Sequence, residues 1–363
     1  GPSCVGLINS VVRTLEHEKV AEQGATQSVV LLKNLGALPI DPKKVKTIFM
    51  AGFVDPDALH ESPAGMPPAD YYSGGGSGHT SAESNALVRA RHAIERRARD
   101  LGIQISSLPV WGNFDHNLFF NKSRGADLNI YIGCATASEG DDRPHLFLDM
   151  FANEQIGYMA ENGPTVVLMQ TPGTIVMPWR NHPNISGIMN LFLGGEKTGL
   201  AWASTLFGDV SPSGKLPIVF PKTHEHTVQP AMEKVIPYRE GMFGSYRSTQ
   251  AEEVAAYPFG FGLSYTTFGY GKPVQAPFAQ CKGAVQGWSS YFPLKACVLV
   301  TVTNTGKRSG AEVAQAYAEF PEEARMPKLM LKGFKKTAVL SPGTSETVAF
   351  ALTARDLSTY RVE

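Results

Sequence analysis

The chain has 363 residues, 43% of them hydrophobic and 18% charged, enough to bury at least one large core and to divide into two domains. Lys and Arg together number 33, as do Asp and Glu, so no net field draws in nucleic acid, an anionic membrane or a polyanionic substrate. No uninterrupted apolar run approaches the roughly 18 residues of a membrane helix, and the opening Gly1-Pro2-Ser3-Cys4 is not a signal peptide.

From about residue 25 to 221, β-rich apolar runs alternate with helical spacing. Val45 to Phe53, Ile103 to Pro109, Leu128 to Ala135, Thr165 to Thr171 and Gly187 to Leu193 read as strands. Ser84 to Leu101 and Asp149 to Asn162 read as helices, each ending near a glycine that supplies a C-cap. This pattern predicts an open, mostly parallel sheet sandwiched by helices. The arginines at 89, 91, 96, 97 and 99 fall on an amphipathic helix and read as a solvated face.

Within this region the stretch Ala137-Ser138-Glu139-Gly140-Asp141-Asp142-Arg143 follows the apolar run Asn129-Ile130-Tyr131-Ile132-Gly133-Cys134-Ala135. The loop leaving the carboxyl end of a buried parallel strand lines the crevice where open α/β sheets bind ligands. Glu139 is therefore a candidate acid, set against the ordinary reading of an acidic loop as a solvated turn.

Residues 222–265 are rich in Gly, Pro, Tyr and Glu and read as a long ordered connection. From 266 onward short alternating strands predict an all-β sandwich of immunoglobulin or fibronectin-III type, with Ala296 to Thr303, Glu312 to Phe320 and Thr344 to Leu352 as strands. It ends at Arg355-Asp356-Leu357-Ser358-Thr359-Tyr360 without a final hairpin, so the sandwich is expected to be incomplete. Four cysteines are too few for a disulfide framework, although Cys281 and Cys297 flank a possible hairpin and could pair, while Cys134 sits in an apolar strand. Sequons at Asn121 and Asn184 are compatible with secretion.

Several separated segments, in order, resemble the C-terminal half of the family 3 glycoside hydrolases, which include β-glucosidases and β-xylosidases. Ser28-Val29-Val30-Leu31-Leu32-Lys33-Asn34 with Leu38-Pro39-Ile40 resembles the entry into that family's α/β sandwich domain, and Gly74-Gly75-Gly76-Ser77-Gly78 its glycine-rich loop. Gly194-Gly195-Glu196 and Phe207-Gly208-Asp209-Val210-Ser211-Pro212-Ser213-Gly214-Lys215-Leu216-Pro217 resemble the segment that closes it. Tyr238-Arg239-Glu240-Gly241 and Pro258 to Phe268 are similar to the passage into a fibronectin-III-like domain, and Asn304-Thr305-Gly306 with Gly310 to Gln315 extends the likeness.

The resemblance implies a retaining, exo-acting β-glycosidase with Glu139 as general acid/base, Asp141 as the fallback acid, and Asp142 paired with Arg143. Such an acid works best with a raised pKa, and Asp141, Asp142 and the incoming nucleophile are expected to push Glu139 up, with Arg143 opposing. Tyr71, Tyr72 and Trp111 are candidates to stack on a sugar ring, against the plainer reading of core packing. The family's nucleophilic aspartate belongs to an N-terminal (β/α)8 barrel, expected in cis upstream of a linker over residues 1–24. The chain is thus expected to be a fragment or processed piece, inactive alone, with domains over 25–221 and 266–363 and a β-glucoside or oligosaccharide as substrate. No cofactor is implied, and an extracellular location is.

Tyr72-Ser73-Gly74-Gly75-Gly76 looks like the glucosidase version of the loop, with β-xylosidase or α-arabinofuranosidase as the alternative. A non-catalytic carbohydrate-binding module is the alternative from another class. No Gly-Lys-Ser/Thr follows the glycine-rich loop, which argues against a nucleotide site, and no Gly-x-Ser-x-Gly elbow argues for a serine hydrolase. His224-Glu225-His226 has no third ligand suggested nearby, so no metal site is expected.

Overall fold

The computed structural model describes residues 12–53, 71–79, 86–110, 115–140, 142–228, 234–284 and 291–359. Helix α1, Leu15–Ser28, begins where the Thr14 hydroxyl accepts from the His17 amide at 3.2 Å, with Glu16 and Glu18 in the first turn, an N-cap that also places negative charge at the positive end of the helix dipole. Of the stretch read as linker, the part from Leu15 onward is therefore helical, and the helix runs on to Ser28 just before the sheet. Then come β1 (Val30–Asn34), β2 (Thr47–Gly52), α2 (Ala90–Asp100), β3 (Gln104–Pro109), α3 (His116–Arg124), β4 (Leu128–Cys134), α4 (Ala152–Asn162), β5 (Thr165–Gln170), β6 (Ile185–Leu191) and α5 (Thr198–Leu206).

The six strands lie in the order β1-β6-β5-β4-β2-β3. All neighbours are parallel except β1, which runs antiparallel to β6 along one edge. Alternation along each strand divides the core in two. Ile48 and Met50 of β2 pack with Ile94, Trp202 and Leu206 on one face, and Phe49 and Ala51 pack with Phe119, Ile156 and Met159 on the other. Because helices cover both faces, β4 and β5 are buried at every position, which is why they appear in the sequence as continuous apolar runs.

Each expected strand is present within two residues of its expected ends. The helices start later than their periodicity implies. Ahead of α2, the Val88 amide donates to Glu196 O at 2.8 Å and Val88 O accepts from Gly199 at 2.9 Å, so these backbone groups bond across to the turn before α5 instead of extending the helix. Ahead of α4, Met150 and Phe151 hold φ of 55° and 58°, a left-handed conformation that cannot continue a right-handed helix. The arginine face of α2 is solvated but tethered: Arg91 pairs with Glu95 at 2.9 Å and Arg97 with Asp209 at 2.5 Å.

Beyond the sheet, β7 (Phe220–Pro221) pairs with β8 (Ala255–Tyr257) across the connecting segment. A second sheet holds β9 (Phe268–Tyr270), β10 (Val274–Gln275), β11 (Leu294–Asn304) and β14 (Ser345–Thr353), and β12 (Val313–Glu319) pairs with β13 (Leu329–Lys336). Val300, Val302, Ala314, Val348 and Phe350 form the small core between them. Cys281 and Cys297 are disulfide-bonded, although Cys281 lies in a 3-10 turn, Phe278–Ala284, and not in a hairpin strand. Asn304 is fully buried and satisfied: Oδ1 accepts from Thr266 Oγ1 at 2.7 Å and Gly306 N at 3.1 Å, and Nδ2 donates to Arg308 O and Leu340 O at 2.8 and 2.7 Å. The two regions are joined by Lys215 to Glu312 at 2.9 Å and Gln315 Nε2 to Gly260 O at 2.9 Å.

Ile132, fully buried at the centre of β4, tests the sheet as the source of stability. Ile132→Ala should cost about 2–5 kcal/mol, read as a lower urea midpoint with an unchanged slope.

Candidate active site

The strand order places a switch point between β2 and β4. From β2 the chain crosses through α2 to β3 on one side, and from β4 through α4 to β5 on the other, so the loops leaving β2 and β4 diverge and open a crevice at the strands' carboxyl ends. At the end of β2, Gly52 has φ +99°, and a Cβ there would lie 2.2 Å from Ile132 O. Glycine lets the two strand ends approach this closely.

The returning part of the β2 loop is held from below. Tyr71 is buried, its ring 4.7 Å from that of Phe53, and its carbonyl accepts from Gln170 Nε2 at 3.1 Å. Gln170 in turn accepts from Trp202 Nε1 at 3.1 Å, so a buried relay runs from α5 through the end of β5 to this loop. Burial first, then the Asp149 carboxylate bonded to its hydroxyl, pushes Tyr71 far above the usual phenol range. Tyr72 O accepts from Gly195 N at 2.9 Å, and the Tyr72 ring is buried.

The β4 loop is fixed by Asp149. Its amide donates to Cys134 O at 2.8 Å and its carboxylate accepts from Thr136 N at 3.1 Å, folding residues 134–149 back on themselves. Gly75 N then donates to Ala137 O at 2.9 Å, and Gly75 and Ser138 form a parallel bridge between the two loops. Gly76, at φ +105°, leaves the space where a Cβ would come within 2.5 Å of Glu139 Cβ. The Ser77 amide donates to Glu139 Oε2 at 2.7 Å and the Ser77 hydroxyl donates to the same oxygen.

Glu139 is thus exposed at the rim of the crevice, with one carboxylate oxygen bonded twice. The Ser77 hydroxyl, then the Ser77 N–H, hold its pKa below the usual glutamate value, and the slight burial does not reverse this. In this chain, without the nucleophile counted in the expectation, the pKa moves the other way: hydrogen bonds to the charged form win because Glu139 is open to water. The expected ion pair of Arg143 with Asp142 is replaced as well. Arg143 donates to Thr174 O at 3.1 Å and Phe147 O at 3.3 Å, and burial lowers its pKa against the attraction of Asp149. Asp142 is exposed beside it.

Tyr72 lies under the loop with its ring packed inside, so core packing describes it and Tyr71 better than a sugar platform. Trp111 and Asp141 lie outside the described residues. His224 accepts from Leu146 N at 3.4 Å and sits edge-to-face on Phe147 at 4.5 Å, a packing role, while His226 contacts Thr223 Oγ1 at 3.2 Å. Among the described residues no three His, Cys, Asp or Glu side chains converge as a metal site would require. A cleft of about 690 Å³ between α1, α5 and the strand-rich region includes neither Glu139 nor Ser77. Sequence reasoning missed Ser77, Asp149 and Gln170 as site supports. The one local signal was a serine framed by glycines.

Residues 29–265 match the glycosyl hydrolase family 3 C-terminal domain, and residues 312–363 match a fibronectin type III-like domain. Among curated relatives, probable beta-glucosidase L of Aspergillus terreus is 32% identical over 375 residues, covering 97% of this chain and 50% of the relative. Probable beta-glucosidase G of the same species is 30% identical over 380 residues, covering 96% and 45%. Beta-D-glucoside glucohydrolase from Trichoderma reesei superposes with a TM-score of 0.81 at 29% identity, over 96% of this chain and 51% of that one. The chain spans about half the length of the relatives it matches.

Two measurements probe the loop clamp. A carbon-13 titration of the Glu139 carboxyl should give a midpoint below the ordinary glutamate value of about 4.3. A depressed folded-state pKa contributes stability above the unfolded value and loses it as pH falls through the folded one. Gly76→Ala should lose that depression and cost about 1–3 kcal/mol by urea unfolding, since it adds a Cβ against Glu139 at a φ that alanine avoids.

Proposed function

The chain belongs to glycosyl hydrolase family 3, and from that premise we propose that it is the acid/base-bearing half of a retaining, exo-acting β-glycosidase of β-glucosidase type. Its substrate is a terminal non-reducing β-D-glucosyl residue, and Glu139 is the general acid/base. The observation that carries this reading is the position of Glu139: a carboxylate at the switch-point crevice, fixed by two loops from opposite crossovers, with one oxygen engaged and the other turned to no described partner. The relatives compared above are β-glucosidases or a β-D-glucoside glucohydrolase, which favours glucoside over xyloside or arabinofuranoside.

The chemistry needs a second carboxylate about 5–5.5 Å away across the anomeric carbon. The family resemblance assigns it to an aspartate of a (β/α)8 barrel, which the other half of a full-length relative would supply. In the first step Glu139 gives its proton to the glycosidic oxygen as the C1–O bond breaks and the aspartate bonds to C1. In the second, Glu139 takes a proton from water as the water oxygen bonds to C1 and the ester bond breaks. The clamp by Ser77 suits the second role, because it favours the ionised form. The first role needs a proton, and a docked sugar that excludes water together with a facing aspartate would raise the pKa enough to hold one. Arg143, bonded to two carbonyls, stiffens the loop. The Cys281–Cys297 disulfide supports an oxidising, extracellular setting.

The chain alone should hydrolyse p-nitrophenyl β-D-glucoside no faster than buffer, and robust turnover by pure material would overturn the division of the site. Joined to a family barrel, the Glu139→Ala variant should lose about 10²–10⁴-fold in kcat/KM on alkyl glucosides and disaccharides, far less in kcat/KM on dinitrophenyl glucoside, whose leaving group needs no proton. Equal loss on both substrates, or none, would remove Glu139 from the role. Sugar affinity without turnover would favour a binding module.

A further inference from the structure

We infer that Ser77 is the positioning residue of this acid/base, holding Glu139 by Oε2 so that Oε1 is the oxygen that exchanges the proton with the glycosidic oxygen and with water. The inference rests on the assignment of Glu139 above and adds to it which oxygen reacts and what aims it.

Three observations converge on Ser77. First, it presents two donors, amide and hydroxyl, to a single oxygen. A carboxylate tied at one point can swing about its terminal torsion, whereas two donors on one oxygen restrict that rotation and leave the other oxygen facing outward. Among the described residues Glu139 Oε1 has no hydrogen-bond partner. Second, the approach is built into the backbone. Gly76 sits at a φ that favours glycine and offers no Cβ against Glu139, and the Gly75–Ser138 bridge sets the register of one loop on the other. Third, the loop that carries Ser77 is anchored below by Gln170 on Tyr71 O and by Gly195 on Tyr72 O. The donor therefore belongs to a frame tied to α5 and β5, and the aim of Glu139 is set from outside its own loop.

Ser77 touches neither substrate nor the reacting atoms in this account, so its removal should show in how Glu139 works. Ser77 is exposed, and Ser77→Ala keeps the backbone amide, so the fold is expected to stand. In the barrel-joined enzyme, Ser77→Ala should lower kcat/KM about tenfold for alkyl glucosides, the scale of one hydrogen bond to a charged group, while dinitrophenyl glucoside changes less than about twofold. The alkaline limb of the kcat/KM profile, which requires the protonated acid, should move to higher pH, because a donor that favours the anion has been removed. Ser77→Thr, which keeps the hydroxyl, should restore both.

An unshifted alkaline limb with parallel losses on both substrates would mean a structural role and would overturn the inference while leaving Glu139 in place. If Glu139→Ala itself shows no dependence on the leaving group, the underlying assignment fails instead. A third readout needs no catalysis: in the isolated chain, Ser77→Ala should raise the carboxyl titration midpoint of Glu139, and an unchanged midpoint would show that the hydroxyl does not hold the carboxylate.

Discussion

The parallel pairing of β2 with β4 is the constraint on which the rest of the site depends. Five registered positions, Ile48 with Leu128 through Gly52 with Ile132, set the end of β2 two residues short of the end of β4, and the crossovers that leave them turn in opposite directions. A crevice follows from that divergence. The loops that close it must then find each other, and they do so through backbone: Gly75 to Ala137, then Ser77 to Glu139. Glycines at 52, 74 and 76 are needed because the backbones approach closer than any side chain allows or turn through positive φ. A single carboxylate at this place owes its orientation to neighbours drawn from three strands and a helix.

Much of the fold was legible in the sequence because its signals are physical ones. A strand buried on both faces must be apolar at every position, and β4 and β5 announce themselves in that way. The elements that escaped lack such a signature. β1 is an edge strand whose last residues, Lys33 and Asn34, are half-buried. β13 carries Gly333 and three lysines on a strand with no fully buried position, while β9 and β10 are too short for any period to show. α1 buries only Ala25 and Thr26, too little to separate it from a polar linker.

The site was legible to the level of the loop and not beyond it. The position of Glu139 after an apolar run gives its place at a strand's carboxyl end, and that follows from one dimension. Its partners do not. Ser77 is 62 residues away in sequence, and the proximity of Asp142 and Arg143 along the chain proved a poor guide to which groups touch. Adjacent charges in an extended loop point in different directions, so Arg143 reached Thr174 and Phe147. The electrostatics of Glu139 consequently came out opposite in sign: like charges nearby would raise its pKa, but hydrogen bonds from a distant loop lower it.

The antiparallel edge has a bearing on the order in which the molecule comes together. Val30 pairs with Asn190, so β1, which precedes the other strands of this sheet in the chain, has no partner until nearly all of the sheet exists. Closing so long a loop is slow compared with the local β–α–β steps. The interior strands can therefore stack first, with β1 joining as a late zipper. α1, which leads directly into β1, waits as well for the turn before α5, where Lys197 donates to Glu18 Oε2 at 2.8 Å. A ribosome-bound or interrupted chain would hold a formed crevice with an unfastened entrance, and the acid-bearing loops would be complete before the segment that connects them to anything upstream.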